Sequence, residues 1–344
     1  MSENATKNIQ ELGEFGLIDH LTSGFTTSNA TTILGIGDDC AVIEINAEES
    51  FLVSTDMLVE GVHFNLMYVP LKHLGYKAVA VNVSDICAMN GKAEQITVAL
   101  AVSSKFPVEA LEELYEGIQL ACDHYQVDLV GGDMTSSWSG LSITITAVGR
   151  VANSKMTKRS GAKANDIIVV SGDLGASYLG LQILERENEV FKANPKVQPE
   201  LEGFDALIQR QLKPEARMDI IELLEKMDVV PTSMIDISDG LASEVMHLCK
   251  QSGTGCQLFE DKIPMTDKTK LTAIEFKISP VTCALNGGED YELLFTVKQE
   301  DFDKIVGNPS MSPIGYMTED TAGKFLIDAA GDVVPLKAQG WQHF

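Results

Sequence analysis

Hydrophobic positions along the chain follow two rhythms, one near 3.6 residues and one of two, and their alternation predicts a mixed α/β protein. Leu12, Phe15, Ile18 and Leu21 recur at helical spacing and predict a short amphipathic helix over Glu11–Leu21. Apolar runs at Thr32–Ile36 and Phe51–Thr55 predict strands that run straight into acidic residues. Leu71–Met89 carries both rhythms: Val79, Val81 and Val83 alternate, while Leu71, Leu74, Ala78 and Asp85 share a helical face. The run is too long for an ordinary strand, which favours helix. There follow a strand at Gln95–Val102, a proline-started helix over Pro107–His124, and strands at Val127–Val130 and Leu141–Val148.

The polar, basic stretch after Ala152 interrupts this pattern and predicts a boundary between residues 1–152 and 153–344. Two domains suit the length, since 344 residues exceed the usual single core. The second half predicts strand Ile167–Ser171, helix Ala176–Glu187, helix Pro214–Lys226, strand Ser233–Ile237, helix Leu241–Gln251 stopped by Gly253, and strand Tyr291–Val297. Glu187–Lys213 is charged and poor in strand formers, and is expected to be a solvated helical excursion or insertion.

Charge narrows the partners. With 26 basic against 50 acidic residues the formal charge is -24, which disfavours nucleic acid and anionic membrane surfaces at long range. A small polyanion such as a nucleotide would need bound cations to reverse the local field. The six cysteines form no C-x-x-C pair, so reduced thiols in the cytoplasm are expected rather than a zinc site or disulfide framework. The N-terminal segment lacks a leader-like pattern, and no stretch reaches the roughly 18 apolar residues of a membrane span.

The candidate chemistry lies in carboxylates at glycine turns and strand ends: Asp38, Asp39, Asp56, Asp85, Asp133, Asp236, Asp239, Glu289 and Asp290. A lone ionised carboxylate beside apolar strands is costly unless cations or donors compensate it. Ser54-Thr55-Asp56 is a set of hard oxygen ligands suited to Mg²⁺. Gly131-Gly132-Asp133 places a carboxylate at the expected carboxyl end of a strand, where open α/β sheets often bind ligands. In D-I-S-D-G, Asp236 and Ser238 share a strand face and Asp239 turns into a helix. Each cluster alone is equally well an ordinary turn or cap; together they favour a shared anion-plus-metal site. No P-loop, dinucleotide fingerprint or protein-kinase signature occurs.

The ordered set G-I-G-D-D-C-A, S-T-D-M-L-V-E-G-V-H-F, A-V-N-V-S-D-I-C-A-M, L-V-G-G-D, R-S-G-A-K, D-I-S-D-G-L and G-G-E-D-Y-E-L resembles the thiamine-monophosphate kinase family over nearly the whole chain. That family belongs to the aminoimidazole ribonucleotide synthetase-like superfamily. The resemblance implies an ATP-dependent kinase that phosphorylates thiamine phosphate to thiamine diphosphate by direct transfer. It also implies a homodimer whose N-terminal sheets close a β-barrel, each paired with a C-terminal α/β domain. By the same resemblance Asp39, Ser54, Thr55, Asp56, Asp85, Asp133, Asp236 and Asp239 would hold several Mg²⁺ ions. Tyr115, Gly132, Asp133, Arg159 and Ser238 would contact ATP, and His63, Glu289 and Trp341 the thiamine phosphate. Asp56, Asp85, Asp133, Arg159 and Asp239 are the residues expected to carry the transfer. The competing readings are another ATP-dependent enzyme of the superfamily with a different acceptor, and a non-catalytic nucleotide- and metal-binding regulator.

Overall fold

The computed structural model describes residues 9–339. Its first part runs α1 (Ile9–Thr22), β1 (Thr32–Leu34), β2 (Ala41–Glu44), β3 (Glu49–Val59), α2 (Leu71–Ala88), β4 (Lys92–Val102), α3 (Val108–Tyr125), β5 (Asp128–Ser136) and β6 (Leu141–Ala152). The strands form one sheet in the order β1-β2-β3-β6-β4-β5. Its pairs are antiparallel except β4 with β5, which the intervening helix α3 joins as a parallel crossover.

Register fixes which side chains share a face. Leu52, Ser54, Asp56 and Leu58 pair with Gly149, Ala147, Ile145 and Ile143, a row that is largely buried. Thr55 and Met57 pair with Thr146 and Thr144 on the opposite face, where Met57 is 56 % exposed. The first face is covered by α2. That helix is apolar almost all round, and is buried almost continuously from Leu74 to Ala88. Such a helix cannot sit on a surface; α2 packs on β3, β4 and β6 on one side and on the second sheet on the other. Helix α3 lies against α2 with the backbones nearly touching. A Cβ at Gly75 would stand 2.0 Å from the Leu114 carbonyl, and one at Gly117 1.9 Å from that of Lys72.

The second part contains β7 (Ile167–Ser171), α4 (Ala176–Ala193), α5 (Asp205–Leu212), α6 (Met218–Lys226), β8 (Ser233–Asp236), α7 (Leu241–Ser252), β9 (Thr254–Phe259), α8 (Asp267–Glu275), α9 (Pro280–Asn286), β10 (Leu293–Val297), α10 (Phe302–Ile305), β11 (Met311–Glu319), β12 (Lys324–Ile327) and β13 (Val333–Pro335). The sheet order is β13-β12-β9-β11-β7-β10-β8, which places β8 at the edge nearest α2. One apolar core runs through Leu52, Val79, Ile86 and Ile145 on to Val169, Met234 and Phe295, joining the two sheets.

The mixed α/β class stands, and three expectations are corrected. β3 does not end at Ser54-Thr55-Asp56 but carries these residues mid-strand, because β6 offers it an unbroken partner from Ala152 to Ser142. β5 likewise continues through Gly131-Gly132-Asp133 to Ser136. Only glycine fits at 132, where a Cβ would meet the Val98 carbonyl at 1.9 Å. Finally, Glu187–Lys213 is not simply solvated: α4 runs on to Ala193, and α5 tucks Leu207, Gln211 and Leu212 into the interior.

Candidate active site

The edge where α2 meets β3 and β8 gathers carboxylates from four distant places in the chain. Asp39 comes from the turn before β2, Asp56 from the buried face of β3, Asp85 from the last turns of α2 and Asp236 from the end of β8. Carboxylate oxygens of Asp39, Asp85 and Asp236 all lie within 4.8 Å of one another. Polar neighbours hold them there. Ser54 Oγ donates to Asp85 Oδ2, Ser84 Oγ donates to Asp236 Oδ2 at 2.6 Å, and the Asp56 amide donates to Asn82 Oδ1 at 3.0 Å. Ser84 and Asn82 share α2 with Asp85, so one buried helix aligns three of the acids.

Like charges crowded out of water resist ionisation. Burial first, and then the nearby Asp39 charge, push Asp56 up to about 6 and Asp236 up to about 7. Burial and Asp39 likewise raise Asp38 to about 6, and burial with the Asp56 and Asp236 charges raises Asp85 well above the carboxylate range. The cation in direct contact is Arg159, whose Nη2 donates to Asp39 Oδ1 at 2.6 Å while its backbone amide donates to Asp38 at 3.2 Å. Compensation is incomplete: Asp39 Oδ2 and Arg159 Nε are buried and have no hydrogen-bond partner. The open Asp39 acceptor fits a divalent cation, and Arg159 Nε, 4.0 Å from Asp38 Oδ1, fits a phosphate oxygen.

Ser238, Asp239 and Glu289 belong to two loops that interlock at the end of β8. The Glu289 amide donates to the Ser238 carbonyl at 2.6 Å, and the Tyr291 amide to the Ile237 carbonyl at 2.9 Å. These bonds hold Glu289 and Tyr291 at φ 56 and 52, left-handed conformations costing about 1 to 2 kcal/mol each for a side chain bearing Cβ. The buried Tyr291 hydroxyl is pushed up by burial, then by the charges of Glu289, Asp56, Asp236 and Asp85. The Asp239 amide donates to Glu244 Oε1 at 2.9 Å. Glu244 Oε2 is buried without a partner.

The remaining expected residues lie elsewhere. The Thr55 hydroxyl points to the opposite face of β3 and donates to the Ile145 carbonyl at 3.1 Å, with Thr146 Oγ1 also at 3.1 Å. Asp133 pairs in register with Ala99, and hence with Thr144 and Met57, on that same open face. It stands three strand positions from β3, about 14 Å at the usual strand spacing. Gly132 is its neighbour on this exposed edge strand, and Tyr115 lines a groove between α3 and the start of β5. His63 Nδ1 accepts the Val59 amide at 3.0 Å just beyond β3. Trp341 lies outside the described residues.

Sequence reasoning missed Asn82, Ser84 and Glu244, as well as Lys77 and Gln211, which both bond Glu289. For Lys77 a signal existed, a lysine set against the apolar run that follows it in α2; Gln211 carried none.

The family described as "AIR synthase related protein, N-terminal domain" matches residues 37–151. The chain is 35% identical to the thiamine-monophosphate kinase of Aquifex aeolicus over 337 residues, covering 98% of this chain and 99% of that one. It is 33% identical to that of Bacillus subtilis, covering 97% and 100%. A solved structure, AaThiL complexed with AMPPCP and TMP, superposes with a TM-score of 0.83 at 34% identity, covering 98% of this chain and 99% of that chain. Similarity of this kind over nearly the whole of both chains, together with the shared fold, places the chain in the thiamine-monophosphate kinase family.

Proposed function

We propose that the protein transfers the γ-phosphoryl group of ATP directly to thiamine phosphate, giving thiamine diphosphate. The observation that carries this reading is the convergence of Asp39, Asp85 and Asp236 within 4.8 Å around a buried, unpartnered Asp39 oxygen. The acceptor is a phosphate oxygen already largely ionised near neutral pH, since the second pKa of a phosphate monoester is about 6. No general base is therefore required, and the principal barrier is bringing two polyanions together. Mg²⁺ ions, when bound, would neutralise both phosphates and the charge spread over the transferred group.

The donors suited to those ions are Asp39, Ser54, Asp56, Asp85, Asp236 and Asp239, with Thr55 and Asp133 assigned by resemblance. Arg159 would offer Nε, which makes no hydrogen bond and lies 4.0 Å from Asp38 Oδ1, to a phosphate oxygen while Nη2 stays on Asp39. Ser238 is assigned to the nucleotide by the same resemblance. Glu289, Trp341 and His63 are assigned to the thiamine phosphate, whose thiazolium cation suits a carboxylate and an aromatic face. The open face of the first sheet, with exposed Met57 and a free edge at β5, supports a homodimer closing a barrel. In such a dimer Asp133, Gly132 and Tyr115 would complete the ATP site from across the interface. We place the division into domains near residue 152 and the reaction in the cytoplasm; all six cysteines are free and buried, and among the described residues no helix is long and apolar enough to cross a membrane.

The test is chromatographic product analysis after incubation with ATP, Mg²⁺ and thiamine phosphate, beside unphosphorylated thiamine and metal-free controls. Thiamine diphosphate should form only from thiamine phosphate and only with metal. ATP binding without this product would sink the proposal in favour of another acceptor or a regulatory role.

A further inference from the structure

A second polar assembly draws in Lys77, Gln211 and Ser177, to which the proposed phosphoryl transfer gives no part. Its centre is Glu289, whose side chain is 27% exposed. Oε1 is bonded by Lys77 Nζ at 2.9 Å, and Oε2 by Gln211 Nε2 at 2.7 Å. Lys77 belongs to α2, the helix that also carries Asp85, and its side chain is only 4% exposed. Its Nζ also donates to the Gln211 carbonyl at 3.3 Å. Gln211 belongs to α5, and Ser177 Oγ donates to its Oε1 at 2.6 Å. An ionised carboxylate only accepts, so Glu289 fixes the amide with its NH₂ toward it and leaves Oε1 to accept from Ser177.

A buried ammonium is expensive to keep in a protein, and an apolar residue of similar size would usually serve stability as well or better. The lysine sits where the carboxylate it pairs with is the one group of the assembly facing outward. The backbone at Glu289 is already held in a left-handed conformation, so the loop fixes where the side chain starts while Lys77 and Gln211 fix where it ends. We infer that Lys77 and Gln211 are positioning residues that orient the Glu289 carboxylate toward the thiamine phosphate and so set affinity for that substrate. The inference rests on the reading of Glu289 as a contact to thiamine phosphate. It also gives the 187–213 segment a role, since α5 exists in that segment and delivers Gln211.

The experiment is steady-state kinetics on Lys77→Met, Gln211→Leu, Glu289→Gln and the double variant Lys77→Met/Glu289→Gln, with folding checked by circular dichroism. Lys77→Met and Gln211→Leu should each raise KM for thiamine phosphate about tenfold, the scale of one charge-assisted contact, while KM for ATP stays within about twofold. Because Lys77 acts through Glu289, the double variant should be no worse for thiamine phosphate than Glu289→Gln alone. A purely structural strut would lower Tm and leave both KM values alone, and that pattern would overturn the proposal. So would independent, multiplying losses in the double variant. Should Lys77→Met fail to fold, Gln211→Leu decides, because it strands no buried charge. An unchanged KM for thiamine phosphate in Glu289→Gln would instead overturn the assignment of Glu289, and product formation in the assay above would be unaffected by that result.

Discussion

Asp56 illustrates how little of a residue's role is visible without its neighbours. On the sequence it ends a strand; in the fold it sits mid-strand, facing inward, beside Asp85 and under the charge of Asp39. Asp56→Asn removes a charge while keeping the shape and the amide contact to Asn82. Turnover at saturating Mg²⁺ should fall at least about 100-fold, since losing one preorganised charge stabiliser typically costs a few kcal/mol. Near wild-type turnover would remove Asp56 from the machinery. The acids of the seam were legible only as an ordered set, since each cluster alone reads equally well as a turn or a cap. Asn82, Ser84 and Gln211 were not, and Lys77 only as a lysine beside an apolar run, because a lone polar residue on a buried helix gains meaning only from what the fold brings opposite it.

At the scale of elements, α2 and α3 were readable from periodicity, and their contact was not. Gly75 and Gly117 look like weak points in helices, since alanine is better there by about 1 kcal/mol on intrinsic propensity. The packing reverses that preference. Gly117→Ala would drive a methyl to 1.9 Å from the Lys72 carbonyl, forcing the two helices apart. The expected net loss is about 2 to 3 kcal/mol, seen as a lower urea midpoint at unchanged slope. A variant as stable as the parent would show that the close approach is dispensable. Strands β2, β9, β11, β12 and β13 and helices α8 and α9 went unread because their runs are short or mixed, and their conformation is set by pairing with distant strands rather than by local preference. The inward turn of α5 escaped notice for the same reason: Leu207, Gln211 and Leu212 make a weak stripe that only α4 and α2 reveal as a contact surface.

For the molecule as a whole, the acidic seam couples stability to pH and, in the proposed metal-bound state, to metal. Asp38 and Asp56 titrate at about 6 and Asp236 at about 7 in the folded protein, against an ordinary 3.8. Between about pH 4 and pH 7 the folded state therefore holds protons that the unfolded chain has released, so stability without metal falls as pH rises through this window. A cation bound to the same oxygens displaces those protons, and its stabilisation must grow with pH. The increase in Tm caused by Mg²⁺ over a chelator control should be clearly larger at about pH 8 than at about pH 5. An increment that is equal or greater at the acidic end would contradict a metal site built from these groups.

The placement of α2 between the two sheets bears on the order of events during synthesis. Asp39, Ser54, Asp56 and Asp85 leave the ribosome long before Asp236, and the edge strand bearing Asp236 pairs only with β10, which emerges later still. A nascent chain holding only the first sheet thus has part of the ligand set, on a helix whose second apolar face is still uncovered. The long sequence separation of these pairings makes closure of the seam a late step. Until β8 and β10 have paired, that side of α2 stays exposed to solvent.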